Sequence, residues 1–292
     1  MCGIVGLHLR NPDLHPRLGE LVTGMLCEMG DRGSDSAGVA VYGDPTWSPP
    51  GHGCVSLLEV DTSPDEVAET LGVSVTQLDE TYLLTAQTSS EDILAAAKSA
   101  YPDALIAGFG ADLTVLKGVG HPRVLTDRWG LVKAQGWQGV GHTRMATESA
   151  VTPSGCHPYA VGPEQCMVHN GSFANHATIR RELRSAGVSF DSDNDTEVGA
   201  RFIADQLANG RDVEGALKEL CAVFDGFYTL LVSNRDSFAV VRDAIACKPA
   251  VIAETDDWVA MSSEYRALAG LPGVETAKIW EPEPEVVYAW RR

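Results

Sequence analysis

Apolar and polar residues change their spacing several times along the chain, and each spacing predicts an element. Residues 2–9, CGIVGLHL, form a short apolar run that predicts a buried strand beginning at residue 2. From residue 18 to residue 29, leucine, valine and methionine recur every three or four positions, which predicts a helix opened by Pro16. The polar segment DRGSDSAG (31–38) then leads into a predicted strand, VAVY.

Between about residues 54 and 133 the pattern changes to short apolar runs that alternate with amphipathic ones. Strand-like runs occur at Val55–Val60, Thr81–Ala86, Ala104–Ala107 and Leu113–Lys117, and helical spacing begins near Pro64 and Ser90. We interpret this segment as a small α/β insertion within a single domain that covers residues 1–292.

The second half of the chain begins with strands, continues with helices and returns to strands. Strands are predicted at Gly139–His142 and Gln165–His169, helices at Asn175–Ala186, at Thr196–Ala208 and after the N-cap Asp212, and a hairpin at 227–243 that turns at Asn234–Asp236. This order favours an α+β fold in which antiparallel sheets are covered by helices.

The composition narrows the possible classes of protein. Of 292 residues 44% are hydrophobic, typical of a folded domain, and a formal net charge of −18 argues against nucleic acid or an anionic membrane as the main partner. The seven cysteines form no C-x-x-C pair, which argues against a zinc or iron–sulfur site and favours a reducing compartment. Without a signal-like leader or a long apolar run, we expect a soluble, cytoplasmic protein.

Four polar segments lie at the ends of predicted strands, where a rigid sheet can display reactive groups. They are DRGSDSAG (31–38), GHTRMAT (141–147), VHNGSF (168–173) and DSDNDTEV (191–198). Each has an ordinary structural explanation when taken singly, such as a solvated turn, a tight Asn-Gly turn, or a helix start with Asp195 as the N-cap. We predict that all four are loops.

Cys2 admits two interpretations. A cysteine beside an apolar run is often a small buried hydrophobe. If Met1 is removed, however, Cys2 carries a thiol and a free α-amino group on the same carbon, and this pair is a nucleophile with its own base attached. The first residues alone leave both interpretations open.

Taken together, the motifs resemble the class II, or N-terminal-nucleophile, glutamine amidotransferases. The resemblance rests on CGIVG, RGSDSAG, GHTRMAT, HPY followed by VHNG, NDTE and, more loosely, RDAIACKPAVIA with VAMSSEYRAL, in this order along the chain. It implies an αββα sandwich of antiparallel sheets flanked by helices. It also implies hydrolysis of L-glutamine to glutamate and ammonia.

The resemblance implies a catalytic role for three residues. Cys2 would attack the side-chain amide of glutamine, with its own freed α-amino group as the base. The side-chain amide of Asn170 and the backbone N–H of Gly171 would stabilise the oxyanion of the tetrahedral intermediate.

The resemblance also implies four residues that bind or position the substrate. Arg144 would hold the α-carboxylate of glutamine with its planar guanidinium, supported by Thr147. Asp195 would hold the α-ammonium group, and Arg32 would brace the loop next to the nucleophile. No metal ligand is implied.

The sequence departs from the family pattern in the second motif, where Asp31 replaces the frequent histidine or tyrosine and Ser34 replaces the frequent proline. Since relatives vary at these positions, the departures bear on the placement of the loop rather than on catalysis. Three histidines flank the motifs, His142, His157 and His169, and we expect them to pack and hydrogen-bond rather than to catalyse or bind metal.

No ammonia-accepting synthase pattern is visible after residue 243. The layout resembles the stand-alone amidotransferase subunits of glutamate-synthase-like assemblies, N-methylglutamate synthase among them. That resemblance implies separate synthase subunits that carry flavin and iron–sulfur centres, and no cofactor in this chain. Two alternatives stay open: a non-catalytic glutamine-binding or scaffolding subunit, and an N-terminal-nucleophile amide hydrolase acting on another substrate.

Overall fold

The computed structural model describes residues 2–146 and 151–292. The helices are α1 (Leu18–Glu28), α2 (Pro64–Leu71), α3 (Ser90–Ala100), α4 (Pro122–Trp129), α5 (His176–Ser185), α6 (Asp195–Ala208) and α7 (Val213–Val223). The strands are β1 (Gly3–Leu9), β2 (Ser36–Tyr42), β3 (Gly53–Leu58), β4 (Ser74–Leu78), β5 (Thr81–Ala86), β6 (Leu105–Gly110), β7 (Leu113–Val119), β8 (Gln138–Arg144), β9 (Cys166–Phe173), β10 (Gly226–Asn234), β11 (Ser237–Arg242), β12 (Val251–Glu254), β13 (Trp258–Ser262), β14 (Lys278–Trp280) and β15 (Tyr288–Arg291).

Two antiparallel sheets form the body of the molecule. The larger has seven strands in the order β14-β12-β13-β1-β8-β2-β7, and the smaller has four in the order β15-β11-β10-β9. Strand β1 lies at the centre of the larger sheet, where it pairs antiparallel with β13 on one side and β8 on the other. The N-terminal segment therefore forms the central strand of the larger sheet.

The inner faces of the two sheets pack against each other. Ile4 of β1 and Leu231 and Phe238 of the smaller sheet are fully buried in one cluster. At Gly6 a Cβ atom would overlap the Leu231 side chain and lie 2.8 Å from the Phe238 ring. The missing side chain therefore permits the close approach of the sheets at this point.

Helices cover both outer faces. Helices α1 and α4 pack on the larger sheet through Leu26 and Trp129, while α6 and α7 pack on the smaller sheet through Ile203 and Leu217. The order of layers is helix, sheet, sheet, helix, which confirms the predicted αββα sandwich. Among the described helices, none combines the length and the apolar character needed to cross a lipid bilayer.

A third antiparallel sheet, in the order β4-β5-β3-β6, comes from the segment predicted as an insertion. Helices α2 and α3 cover it, and Val67 and Ile93 are buried against its apolar face. The same segment also supplies β7, the edge strand of the larger sheet, and α4 on its outer face. β4 has no fully buried residue, so its apolar pattern is weak, and sequence analysis did not predict it.

All four predicted loops are wrong in part, since residues 36–38 belong to β2 and residues 195–198 belong to α6. Residues 141–144 belong to β8 and residues 168–173 belong to β9, because each segment pairs with neighbouring strands to its end. His142 of β8 and Asn170 of β9 meet between the two sheets, so these polar residues do not mark a loop.

The starts of two helices also differ from prediction. Pro16 lies in a 3₁₀ helix, Pro12–Arg17, and α1 begins at Leu18. The N-cap of α6 is Asn194, whose side chain accepts a hydrogen bond from the Thr196 N–H, and Asp195 is the first helical residue. Asp195 is therefore not the cap, and its carboxylate is used elsewhere.

Candidate active site

Cys2 immediately precedes β1 and lies on the inner face of the larger sheet, because side chains alternate along a strand and Ile4 faces inward. The strand is anchored beside it, since Ile4 N–H donates to Ser263 Oγ at 2.9 Å and Ser263 N–H donates to the Ile4 carbonyl at 3.0 Å. The partly exposed Cys2 thiol lies 3.9 Å from the Met145 carbonyl oxygen. The position of the sulfur is thus set by the centre of the sheet.

A cavity of about 300 Å³ opens at Cys2. Six of the seven site residues predicted from sequence line it: Cys2, Arg32, Arg144, Asn170, Gly171 and Asp195. The seventh, Thr147, lies outside the described residues. Residues from the N-terminal part and the middle of the chain therefore meet in one cleft.

Arg32 braces the backbone of Cys2. Its Nε donates to the Cys2 carbonyl at 2.9 Å, and its Nη1 lies 2.5 Å from Glu264 Oε1. Arg32 holds the pKa of the Glu264 carboxyl below its ordinary value, with a smaller contribution from Arg266. Sequence analysis did not identify Glu264 as part of the site, although it stands in the SSEY segment that contributed to the resemblance.

Asn170 and Gly171 lie side by side on β9, opposite Thr229 and Tyr228 of β10. The Asn170 Nδ2 donates to the Cys2 carbonyl and to Ser263 Oγ, each at 3.2 Å. Gly171 has a φ of +132°, and a Cβ atom there would overlap the Phe227 carbonyl oxygen. Only glycine suits that conformation and that contact with β10.

Arg144 is the last residue of β8, and its side chain is buried. The 31–38 segment fixes the backbone around it: Asp35 N–H donates to the Arg144 carbonyl at 3.1 Å, and Asp35 Oδ2 accepts from Ala146 N–H at 2.8 Å. A Cβ atom at Gly33 would lie 2.6 Å from the Arg144 nitrogen, so glycine permits this contact. The segment 31–38 therefore positions Arg144.

Asp195 begins α6, where the positive end of the helix dipole favours a carboxylate. Its Oδ2 accepts from the Phe173 N–H at 2.8 Å, and its Oδ1 lies 3.4 Å from Thr196 Oγ1. Both contacts orient the carboxylate at the cleft. The contact with the Phe173 N–H connects the start of α6 to the end of β9.

Three buried histidines lie beneath the cleft. Thr196 Oγ1 is 3.0 Å from His157 Nε2 and 2.9 Å from His169 Nδ1, and the ring centroids of His142 and His157 are 4.0 Å apart. Burial lowers the pKa of His142 to about 3 and of His169 to about 4, and it holds the pKa of His157 well below its ordinary value. The histidines are therefore neutral near pH 7, and their rings pack against each other in a hydrogen-bonded cluster.

The charges of the cleft suit a free amino acid. Arg32, Arg144 and Lys248 supply positive charge and Asp195 supplies negative charge, which matches the carboxylate and ammonium groups of a zwitterion. Sequence analysis missed Lys248, whose ammonium lies 5.1 Å from the centre of the Phe227 ring. Within residues 2–146 and 151–292, no group of three or more His, Cys, Asp or Glu side chains could hold a metal ion.

The sequence is similar to proteins named as glutamine amidotransferases. A glutamine amidotransferase domain family matches residues 142–270. The glutamine amidotransferase-like protein GlxB of Rhizobium meliloti (strain 1021) is 44% identical, over 99% of this chain and 98% of GlxB. A glutamine–fructose-6-phosphate aminotransferase of Mycobacterium bovis is 36% identical, over 45% of this chain and 22% of that protein.

The fold is similar to that of a solved structure, the glutamine phosphoribosylpyrophosphate amidotransferase of B. subtilis. The TM-score is 0.63 at 18% sequence identity, and the match covers 99% of this chain and 49% of that chain. The chain thus spans about half the length of this structural relative, and at this identity the likeness concerns the fold alone.

The buried histidines predict that the protein loses stability in acid. An unfolded histidine takes up a proton below about pH 6.5, whereas His142 in the folded protein does so only near pH 3, so the free energy of unfolding falls as pH decreases through this window. Each such group contributes a slope of about 1.4 kcal/mol per pH unit. The free energy of unfolding should be measured by urea denaturation at several pH values between 6 and 4. Its change per pH unit should be smaller by about this amount for His142→Gln than for the natural chain. Equal slopes would contradict the neutral state of this histidine.

Proposed function

The chain belongs to the class II glutamine amidotransferases, and on this premise we propose that it hydrolyses L-glutamine to glutamate and ammonia through a thioester on Cys2. The observation that carries the proposal is the position of Cys2. Its carbonyl accepts hydrogen bonds from Arg32 and Asn170 inside a cleft with oppositely charged side chains.

The nucleophile is proposed to form when Met1 is removed. The free α-amino group of Cys2 then lies on the same carbon as the thiol and can accept the thiol proton. The sulfur attacks the γ-amide carbon, and the amine returns the proton to the departing nitrogen, which leaves as ammonia. Water then attacks the thioester, releasing glutamate and restoring the thiol.

Two donors are proposed to stabilise the negative oxygen formed in each step. They are the Asn170 side-chain amide, 3.2 Å from the Cys2 carbonyl, and the backbone N–H of the adjacent Gly171. The absence of a side chain at Gly171 leaves its N–H open to close approach by a substrate. Loss of one such donor in other enzymes reduces kcat by about 10²–10³.

Recognition of glutamine is proposed to use opposite charges. The Arg144 guanidinium binds the α-carboxylate with two parallel hydrogen bonds, and the Asp195 carboxylate binds the α-ammonium group. Thr147 supports Arg144 in this proposal, and Arg32 acts on the backbone of Cys2 rather than on the substrate. A substrate with a free α-amino acid head group fits these charges better than a peptide amide does.

Replacement of the nucleophile tests the proposal. Cys2→Ala should lower ammonia release from glutamine at least about a hundredfold, because no other residue supplies the thiolate. Cys221→Ala, which changes a partly buried cysteine on α7, is the matched control and should keep full activity. Intact mass should show that the active chain begins at Cys2.

Other outcomes support the alternatives. If calorimetry shows glutamine binding to a chain that begins at Cys2, but no ammonia is released even with a partner present, the protein is a binding subunit. If other amides are hydrolysed faster and glutamine does not compete with them, it is an N-terminal-nucleophile hydrolase of different specificity.

The ammonia is proposed to pass to a separate synthase subunit of a glutamate-synthase-like assembly, such as N-methylglutamate synthase. The proposal of a separate synthase subunit is supported by how much of each relative this chain matches. GlxB aligns over 98% of its length, whereas the fructose-6-phosphate aminotransferase aligns over only 22% and therefore contains much that this chain does not match. Ammonia released into water is protonated and lost to the acceptor, which favours direct coupling of the two sites. Flavin and iron–sulfur centres are proposed to belong to the partner subunits, with no cofactor in this chain.

Purification of the tagged chain from its native host tests the partner. We expect co-elution with synthase-like subunits that show flavin absorbance, and the same co-elution for Cys2→Ala, since assembly needs no thiol. Elution of the chain alone, with undiminished glutaminase activity, would contradict this part of the proposal.

A further inference from the structure

The orientation of the Asn170 amide is fixed by its neighbours. The atom 3.2 Å from the Cys2 carbonyl must be Nδ2, because a carbonyl oxygen only accepts hydrogen bonds. The opposite end of the amide, Oδ1, therefore faces His142, at 3.1 Å from Nε2. The reversed amide would bring two acceptor oxygens together at Cys2.

This arrangement also fixes the proton on His142. Asn170 Oδ1 is only an acceptor, so His142 Nε2 must carry a hydrogen and donate it. The other nitrogen, Nδ1, is buried and makes no hydrogen bond of good geometry within the described residues, although the His169 backbone lies close to the ring. Since burial lowers the pKa of His142 to about 3, the ring is neutral at working pH and keeps one tautomer.

The fold holds His142 firmly in this position. It lies on β8 between Ile4 of β1 and Gly38 of β2, and its ring packs against the ring of His157 at an angle of 37°. His142 and Arg144 are two residues apart on one strand and so share its inner face. The hydrogen bond to Asn170 crosses from the larger sheet to the smaller one.

We propose that His142 is a positioning residue that keeps the Asn170 amide turned with its N–H group toward the reacting carbonyl. This inference rests on the proposed glutaminase function, in which that N–H stabilises the oxyanion. Without the His142 donor, only the contacts of Nδ2 with the Cys2 carbonyl and Ser263 Oγ oppose a turn of the amide that would present its oxygen to the developing negative charge. Such a turn reduces the stabilisation of the transition state more than it reduces the affinity for the substrate.

Two variants at position 142 separate positioning from packing. His142→Phe keeps a ring but loses the donor, and we expect kcat to fall about 10- to 100-fold while KM for glutamine and the affinity for glutamate change less than about threefold. His142→Gln retains an N–H donor and should recover part of kcat. His8→Phe is the matched control, because His8 is also buried and hydrogen-bonded, but to Gln138 at 2.8 Å rather than to Asn170. It should leave kcat unchanged.

The outcomes distinguish this inference from the proposed function. If the natural chain releases no ammonia from glutamine, the glutaminase proposal fails. If it does, and His142→Phe behaves like His8→Phe, the positioning role is wrong. Nitrogen-15 NMR of labelled histidine, assigned by loss of the signal in either variant at 142, tests the tautomer independently of turnover. A proton on Nδ1 instead of Nε2 would overturn the inference.

Discussion

The site depends on the placement of residue 2 at the start of the central strand. A chain terminus is ordinarily the least ordered part of a domain unless it is tied down. Here β1 pairs on both sides, and the Cys2 carbonyl accepts from Arg32 and Asn170, which come from different parts of the chain. Residue 2 thereby gains the fixed geometry that the proposed catalysis requires.

The rest of the cleft is assembled around this point by backbone hydrogen bonds. Asp35 fixes the segment that carries Arg144, and the Phe173 N–H orients Asp195. Each charged group thus reaches the cleft through a contact between two motifs that are distant in sequence. The neutral histidine layer below connects the two sheets, so the packing of the sandwich and the orientation of the polar groups depend on each other.

Local patterns were sufficient to predict much of the fold. The strand Thr81–Ala86, the cap at Asp212 and the hairpin turn after Asn234 follow from apolar alternation and turn residues that act over short distances. Asn170 was predicted to lie in a loop, and its position inside β9 was missed because pairing with β10 decides it. Lys248 and Glu264 carry no local signal, and only the folded chain brings them near Cys2.

The central claim is that Cys2, as the first residue of the mature chain, forms a covalent bond to the substrate. Rapid mixing with excess glutamine, an acid quench and mass analysis of the N-terminal peptide test it most directly. The account predicts a peptide that begins at Cys2 and carries a γ-glutamyl group on sulfur, which hydroxylamine removes as the hydroxamate. Glutamine hydrolysis by a chain that retains Met1, or a γ-glutamyl group on any other residue, would contradict it.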